Sequence, residues 1–380
     1  MRVSIIDNYY PAFLADHYAE RPGLADRPYD DQLASLMERS FGTADAYSHN
    51  LNELGHKAID LVVNCEPLQA AWAREHGRSR LLVRAGRALP GLPGRVAQLE
   101  FLHRVATAQL EAFEPDVVYC QDFWFLRRDE LEALRAKGVL LVGQCGSELP
   151  EDSRPLAYDF ITTSFPHFVD RLRARGVDTE YLRIAFDERV LERLRDQDVV
   201  PDAGAPRELG TVFVGGIHPP SVHRDGIELL ERLCAELDMD VWGYIANGLA
   251  PDSPILARHH GPAWGLDMFR ILARARLAIN RHGDIAEGHA NNMRLFEATG
   301  VGALLMTEAA PNLPKLFEPG REVVAYDDAD DLVEKARYYL ENEREREEIA
   351  SAGQRRTLGE HTYRVRIEEL AGMLEDRLRR

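Results

Sequence analysis

The chain has 380 residues, 45% of them hydrophobic and 29% charged, and carries a formal net charge of -17. That length exceeds a single hydrophobic core and points to about two or three globular domains, while the negative balance argues against nucleic acid as a partner, because such binders carry a basic face that releases counterions. No apolar run approaches the ~18 residues of a membrane-spanning helix, so no integral membrane segment is expected and the expected compartment is the cytoplasm.

Short β-branched runs alternate with helical segments, the pattern of a parallel α/β sheet. Residues 3–6 read as the first strand. A polar loop through Pro11 and Pro22 follows, then a helix over 29–41 with Leu33, Leu36, Met37 and Phe41 at helical spacing, stopped by Gly42. A second helix takes Thr43 as N-cap, aligns Tyr47, Leu51 and Leu54, ends at Gly55 and feeds a strand over 58–63. Residues 72–93, Arg-rich with Gly and Pro breakers, read as a helix end and an exposed loop.

An amphipathic helix over 96–113 leads to a strand over 116–120, with Gln121 and Asp122 at its carboxyl end. Carboxyl ends of strands line the ligand crevice of open α/β sheets, which makes Asp122 a candidate site residue. Capping of the next helix is the alternative use of that carboxylate. A helix over 129–137, strands over 139–143 and 160–163, and a helix near 168–175 complete this half.

Residues 195–210 are polar and broken by Pro201, Gly204 and Pro206, as expected of a connector. The expected division is therefore 1–200, 201–360 and a terminal helix over 361–380. A strand over 211–214 runs into Gly215 and Gly216, and His218 and Arg224 precede a helix over 225–237. After a strand over 240–243 and a helix over 266–274, a strand over 277–280 ends in Asn280, Arg281 and His282.

The next stretch, EGHANNMRLFEATGVG at 287–302, is the one the chain is organised around. Asn291 and Asn292 are the expected N-cap of a helix over 293–299. Free N–H groups at Asn292, Met293 and Arg294 favour an anion, and the Arg294 side chain adds a positive charge. Glu297 shares Arg294's side of the helix by the three-residue spacing. An ordinary amphipathic helix with a solvated Arg and Glu is the bland alternative.

Strands over 303–306 and 323–326, a helix over 329–340, a solvated charged face over 341–349 and a terminal helix over 363–378 finish the chain, the last with Ile367, Leu370, Leu374 and Leu378 on one side. Asp238 and Asp240, like Asp328 and Asp330, spell D-x-D, but both pairs sit where turns and helix starts favour Asp, so no metal site is expected. Cys65, Cys120, Cys145 and Cys234 lack C-x-x-C spacing and read as core thiols.

The run NNMRLFEATGVGALLMTE resembles the donor-binding segment of two-domain glycosyltransferases of the GT-B fold. With NLPKLFEPGREVVAYDD and AGQRRTLGEHTYRVR it is similar to the CgeB-like, spore-maturation-type branch. The resemblance implies two Rossmann-like domains whose parallel sheets face a cleft, the last helix crossing back to the first domain. It implies metal-independent transfer of a sugar from a nucleotide-sugar donor to a hydroxyl of a glycan or small-molecule acceptor, with no cofactor besides the donor. On that pattern Glu297 reads the ribose, and Gly215, Gly216, His218, Arg224, Asn280, Arg281, Asn291, Asn292 and Met293 line the donor. Arg294, His282 and Asp122 serve catalysis, Asp122 from the acceptor side.

Three positions depart from the family pattern. Asp225 precedes Gly226 where Lys is frequent, Ala185 and Phe186 replace an Asn-Gly turn before Asp187, and His289 stands where retaining members carry a second Glu. The pattern leans towards retention. A nucleotide-sugar epimerase, or a non-catalytic nucleotide- or glycan-binding module, shares the same features.

Overall fold

The structure, a computed structural model, describes residues 1–78, 94–217, 220–245 and 249–379. The chain separates into two compact units, Met1–Arg183 with Ile367–Arg380, and Ile184–Arg366. Among the described residues no helix is long and apolar enough to cross a membrane.

The first unit is built on a parallel sheet of β1 (Arg2–Asp7), β2 (Lys57–Val62), β3 (Val117–Cys120), β4 (Leu140–Gln144), β5 (Phe160–Thr163) and β6 (Thr179–Tyr181), in the order β2-β1-β3-β4-β5-β6. Val3, Ile5, Ile6, Val117 and Val118 are buried on both faces, which is why these strands read as continuous apolar runs. The chain leaves β1 towards β2 on one side and returns to β3 on the other. The carboxyl ends of β1 and β3 therefore flank this sheet's switch point, where open α/β sheets hold ligands.

Local structure differs from expectation in two places here. The loop expected through Pro11 is the helix Pro11–Ala19, since proline at a first helical position lacks only an N–H that would be unpaired anyway. Phe13 and His17, four residues apart, bury its inner face. Thr43 caps no helix: its hydroxyl donates to Gln121 Oε1 at 2.9 Å, and the helix starts later, at Ala46–Glu53. Helix Glu66–Glu75 covers the start of the Arg-rich segment, and the loop expected beyond it lies outside the described residues.

Helix Tyr363–Leu378 buries Ile367, Leu370 and Leu374, while Leu378 is exposed. From Ile367 onward it groups with the first unit, where Arg377 pairs with Asp178 at 2.9 Å and Glu180 at 2.8 Å.

The second unit has a parallel sheet of β7 (Leu209–Val214), β8 (Asp240–Trp242), β9 (Ala275–Asn280), β10 (Leu304–Glu308) and β11 (Val324–Tyr326), ordered β11-β10-β9-β7-β8. Its switch point lies between β7 and β9. The unit begins at Ile184, ahead of the polar connector, because helix Arg189–Arg195 sinks Val190, Leu191 and Leu194 into its core. Phe186, in place of the family's turn, forms a parallel bridge with Thr362.

Helices Leu266–Arg274 and Arg294–Gly300 share one core cluster with the sheet; Pro220–Leu237 and Ala329–Glu341 share another. The charged run near 343 belongs to helix Glu343–Glu360, and its Arg346 and Ile349 are buried, so that face is only partly solvated.

Candidate functional site

At the switch point of the second unit the start of helix Arg294–Gly300 is tied to the carboxyl ends of both flanking strands. Arg294 Nη2 donates to the carbonyl of Val214, the last residue of β7, at 2.8 Å. Asn292 Nδ2 donates to Asn280 Oδ1 and to the Arg281 carbonyl at the end of β9, each at 2.7 Å. No side chain caps the helix, whose N-cap position is Met293, because Asn292 directs its amide across to β9. Asn291 lies in the loop just before it.

Glu297 is 7% exposed. Its carboxylate meets Arg294 Nη1 at 2.8 Å, and the same nitrogen lies 3.1 Å from Met268 Sδ. Burial pushes the Glu297 carboxyl up from its ordinary range, and the Arg294 guanidinium opposes that shift. The expectation of a guanidinium aimed at a diphosphate therefore meets a different geometry. Arg294 is engaged by Glu297, Val214 and Met268.

Arg281 stands at the same strand edge. Its Nε donates to Glu308 Oε1 at 3.2 Å, and its Nη1 fills the space where a Cβ of residue 226 would stand, so Gly226 is required for the close approach. A guanidinium from the end of β9 thus lies beside Gly226. His282 also turns to Glu308, donating its main-chain N–H to Oε2 at 2.6 Å. Asn280 is 3% exposed, donates to Thr307 Oγ1 at 2.9 Å, and has its carbonyl bound by the Tyr326 hydroxyl at 2.8 Å.

Gly215 and Gly216 continue β7 at the same edge, with Gly215 N–H donating to Trp242 O at 2.9 Å and the Tyr244 ring lying directly over Gly216. His218 and the side chain of Arg224 lie outside the described residues. Glu308, Thr307 and Tyr326 were not anticipated. Their signal was position, since β10 pairs with β9 and puts Thr307 beside Asn280.

Asp122 belongs to the first unit. There Ile6 of β1 lies opposite Cys120 of β3, which sets Asp7 beside Gln121 at that sheet's switch point. Asn8 Nδ2 donates to Asp122 Oδ2, and Asp122 Oδ1 accepts from Trp124 N–H at 2.9 Å. Asp122 thus serves the turn that follows as well as the strand edge. Burial pushes the Asp7 carboxyl up to about 7, against the Asn8 N–H and with the help of Asp122.

Both D-x-D pairs have local uses. Asp328 caps helix Ala329–Glu341 through Asp331 N–H, Asp238 pairs with Arg258, and Asp240 meets His260 at 2.9 Å.

Comparison with known proteins places the fold. Residues 224–372 match the family model described as Glycosyl transferase-like. No curated protein matches the chain. Sucrose-phosphate synthase from Thermosynechococcus elongatus superposes with a TM-score of 0.57 at 11% identity, covering 99% of this chain and 98% of that one. HepE from Anabaena, solved with UDP-glucose, gives 0.55 at 13% identity, covering 99% of this chain and all (100%) of its own. AviGT4, a glycosyltransferase involved in avilamycin A biosynthesis, gives 0.54 at 15% identity, covering 100% and 98%. The chain therefore has the fold of GT-B glycosyltransferases, and residues 224–372 carry the glycosyl transferase-like family pattern.

Proposed function

We propose that the protein is a glycosyltransferase that moves a sugar from a nucleoside-diphosphate sugar to a hydroxyl of a glycan or small-molecule acceptor, without a metal and with retention. The observation that carries this is the start of helix Arg294–Gly300, fastened to the ends of both β7 and β9, which brings Glu297 to the switch point of the second unit. In the related fold of HepE, UDP-glucose is the bound molecule, which supports a sugar nucleotide as ligand.

In this reading Glu297 accepts hydrogen bonds from the ribose hydroxyls. Arg281 and the main chain at Gly215 and Gly216 meet the diphosphate. As the glycosidic bond breaks, negative charge grows on the leaving phosphate, so donors already fixed there act most strongly in the transition state. Glu308 fixes Arg281 through its carboxylate and His282 through the main chain. The first unit holds the acceptor, with Asp122 and its neighbours at the β1 and β3 edge.

The test is a thermal-shift and turnover screen of UDP, GDP, CMP and dTDP sugars in chelator. A donor at 100 times its dissociation constant should stabilise the native protein by ~2.7 kcal/mol. Transfer to an added acceptor, with the anomeric configuration kept, is the expected outcome. Isomerisation of the donor alone would indicate the epimerase, and no shift with any sugar nucleotide would remove the donor site.

A further inference from the structure

The hydrogen bonds around the end of β9 fix where two buried protons lie. The Arg281 carbonyl can only accept, so the Asn292 atom 2.7 Å from it is the amide nitrogen Nδ2. The same nitrogen lies 2.7 Å from Asn280, which must present Oδ1 to it and turn its own Nδ2 to Thr307 Oγ1 at 2.9 Å. Thr307 Oγ1 accepts there and lies 3.2 Å from His282 Nε2, to which it can give its own proton. A ring that accepts this proton carries its own on Nδ1. Burial holds the ring neutral by pushing its pKa below the ordinary value, with Glu308 opposing.

This chain of hydrogen bonds ends in two buried atoms that have no partner among the described residues, His282 Nδ1 and Asn292 Oδ1. With the proton on Nδ1 the first is a donor, and the second is an acceptor. His282 is 8% exposed, so open solvent does not readily supply the missing bond. An unpaired buried polar atom costs ~1 to 3 kcal/mol, and native proteins leave few of them. A hydroxyl accepts and donates at once, and satisfies an atom of either kind.

We propose that His282 Nδ1–H donates to a hydroxyl of the transferred sugar and so selects which sugar the site accepts. This assignment rests on the donor reading given above. A site built to bond a hydroxyl rejects the analogue that lacks it far better than an apolar pocket distinguishes similar groups.

The experiment titrates the wild-type protein and His282→Phe calorimetrically with UDP, UDP-glucose and the four monodeoxy UDP-glucoses, GDP and the GDP-mannose series replacing them if UDP does not bind. One deoxy analogue should bind wild type roughly tenfold or more weakly than the parent sugar nucleotide. In His282→Phe the same analogue should match the parent, while the free nucleoside diphosphate binds both proteins alike. Equal affinity of wild type for all four analogues overturns the inference and leaves the donor site intact. Failure of UDP, GDP, CMP and dTDP alike to bind removes the donor site and this assignment with it. A second readout needs no variant: ring carbon and nitrogen NMR shifts of His282 in the free protein should report the Nδ1–H tautomer, and an Nε2–H ring overturns the proposal.

Discussion

Arg294 and Glu297 form an ion pair at 2.8 Å, three residues apart on one helix, with side chains only 13% and 9% exposed. So dry a carboxylate is tolerated because the guanidinium beside it supplies the counter-charge, and the guanidinium in turn is held by the Val214 carbonyl. Breaking such a pair from one side leaves the other charge uncompensated, at about 3 to 5 kcal/mol. Arg294→Ala should therefore destabilise the second unit by that order, and Arg294→Ala with Glu297→Ala should lose less than the sum of the two. Urea unfolding of the four proteins of this cycle measures it. A loss under ~1 kcal/mol in Arg294→Ala would mean an ordinary exposed pair.

His17 gives the first unit an acid sensitivity. Burial pushes its pKa down to about 4, with Arg21 and Arg39 adding to the shift and Glu20 opposing it. In the unfolded chain the ring takes a proton near its ordinary 6.5, which the native state refuses until about 4, so stability falls as pH drops through that window. The loss integrates to about 3 kcal/mol. Hydrogen exchange in the first unit of wild type and His17→Gln should show the variant the less acid-sensitive between pH 6.5 and 4. Local exchange is the right probe because a two-unit chain need not unfold in one step. Identical slopes in the two proteins would rule the His17 effect out.

Asp7 has the opposite sign. Its carboxyl is pushed up from 3.8 to about 7, so the native state keeps a proton that the unfolded chain has already lost. The stabilisation is fully present below 3.8 and lost as pH rises through 7. Asparagine resembles the protonated acid at every pH. Asp7→Asn should match wild type at pH 4 and exceed its stability at pH 8 by more than ~1 kcal/mol. No gain at pH 8 would show that Asp7 ionises freely in the native state.

Strand positions were legible because β-branched runs buried on both faces are hard to mistake. Helix Pro11–Ala19 was not, since Pro11 reads equally as a turn residue and as a first helical residue. At the site, Asn280, Arg281 and His282 were visible as a strand's carboxyl edge. Their partners Thr307 and Glu308 were not, because only the pairing of β9 with β10 brings residues 25 or more positions apart into one network. Asn292 and Arg294 show the same limit in reverse. The sequence marks a helix start, but tertiary acceptors at Asn280, Arg281 and Val214 decide where the two side chains point.

Gly300, at the end of helix Arg294–Gly300, has a packing reason. A Cβ at position 300 would lie 2.6 Å from the ring of Phe186, which is itself held by the bridge to Thr362. Cγ is among the atoms met, next to a backbone that the bridge fixes, so the ring has little room to retreat. Gly300→Ala should cost about 1 to 3 kcal/mol, as overpacking does, and Phe186→Leu should recover part of it. Thermal unfolding of the single and double variants tests this, and additive losses would show that the two residues do not press on each other.

The decisive prediction concerns Glu297 and ribose. If its carboxylate accepts bonds from the ribose hydroxyls, Glu297→Ala removes bonds to a charged group worth ~1.5 to 3 kcal/mol, or roughly ten- to a hundredfold in UDP affinity. Loss of affinity alone would not separate a direct contact from a disturbed helix, because Arg294 also loses its partner. The ligand can be changed instead. Against wild type, 2′-deoxy-UDP should bind more weakly than UDP, since the carboxylate has lost one of its donors. Against Glu297→Ala the two nucleotides should bind equally, because the carboxylate that told them apart is gone. A merely disturbed helix would weaken both and preserve their ratio. Calorimetric titration of the two nucleotides into the two folded proteins yields four affinities, and an unchanged ratio in Glu297→Ala would take this residue out of ribose recognition.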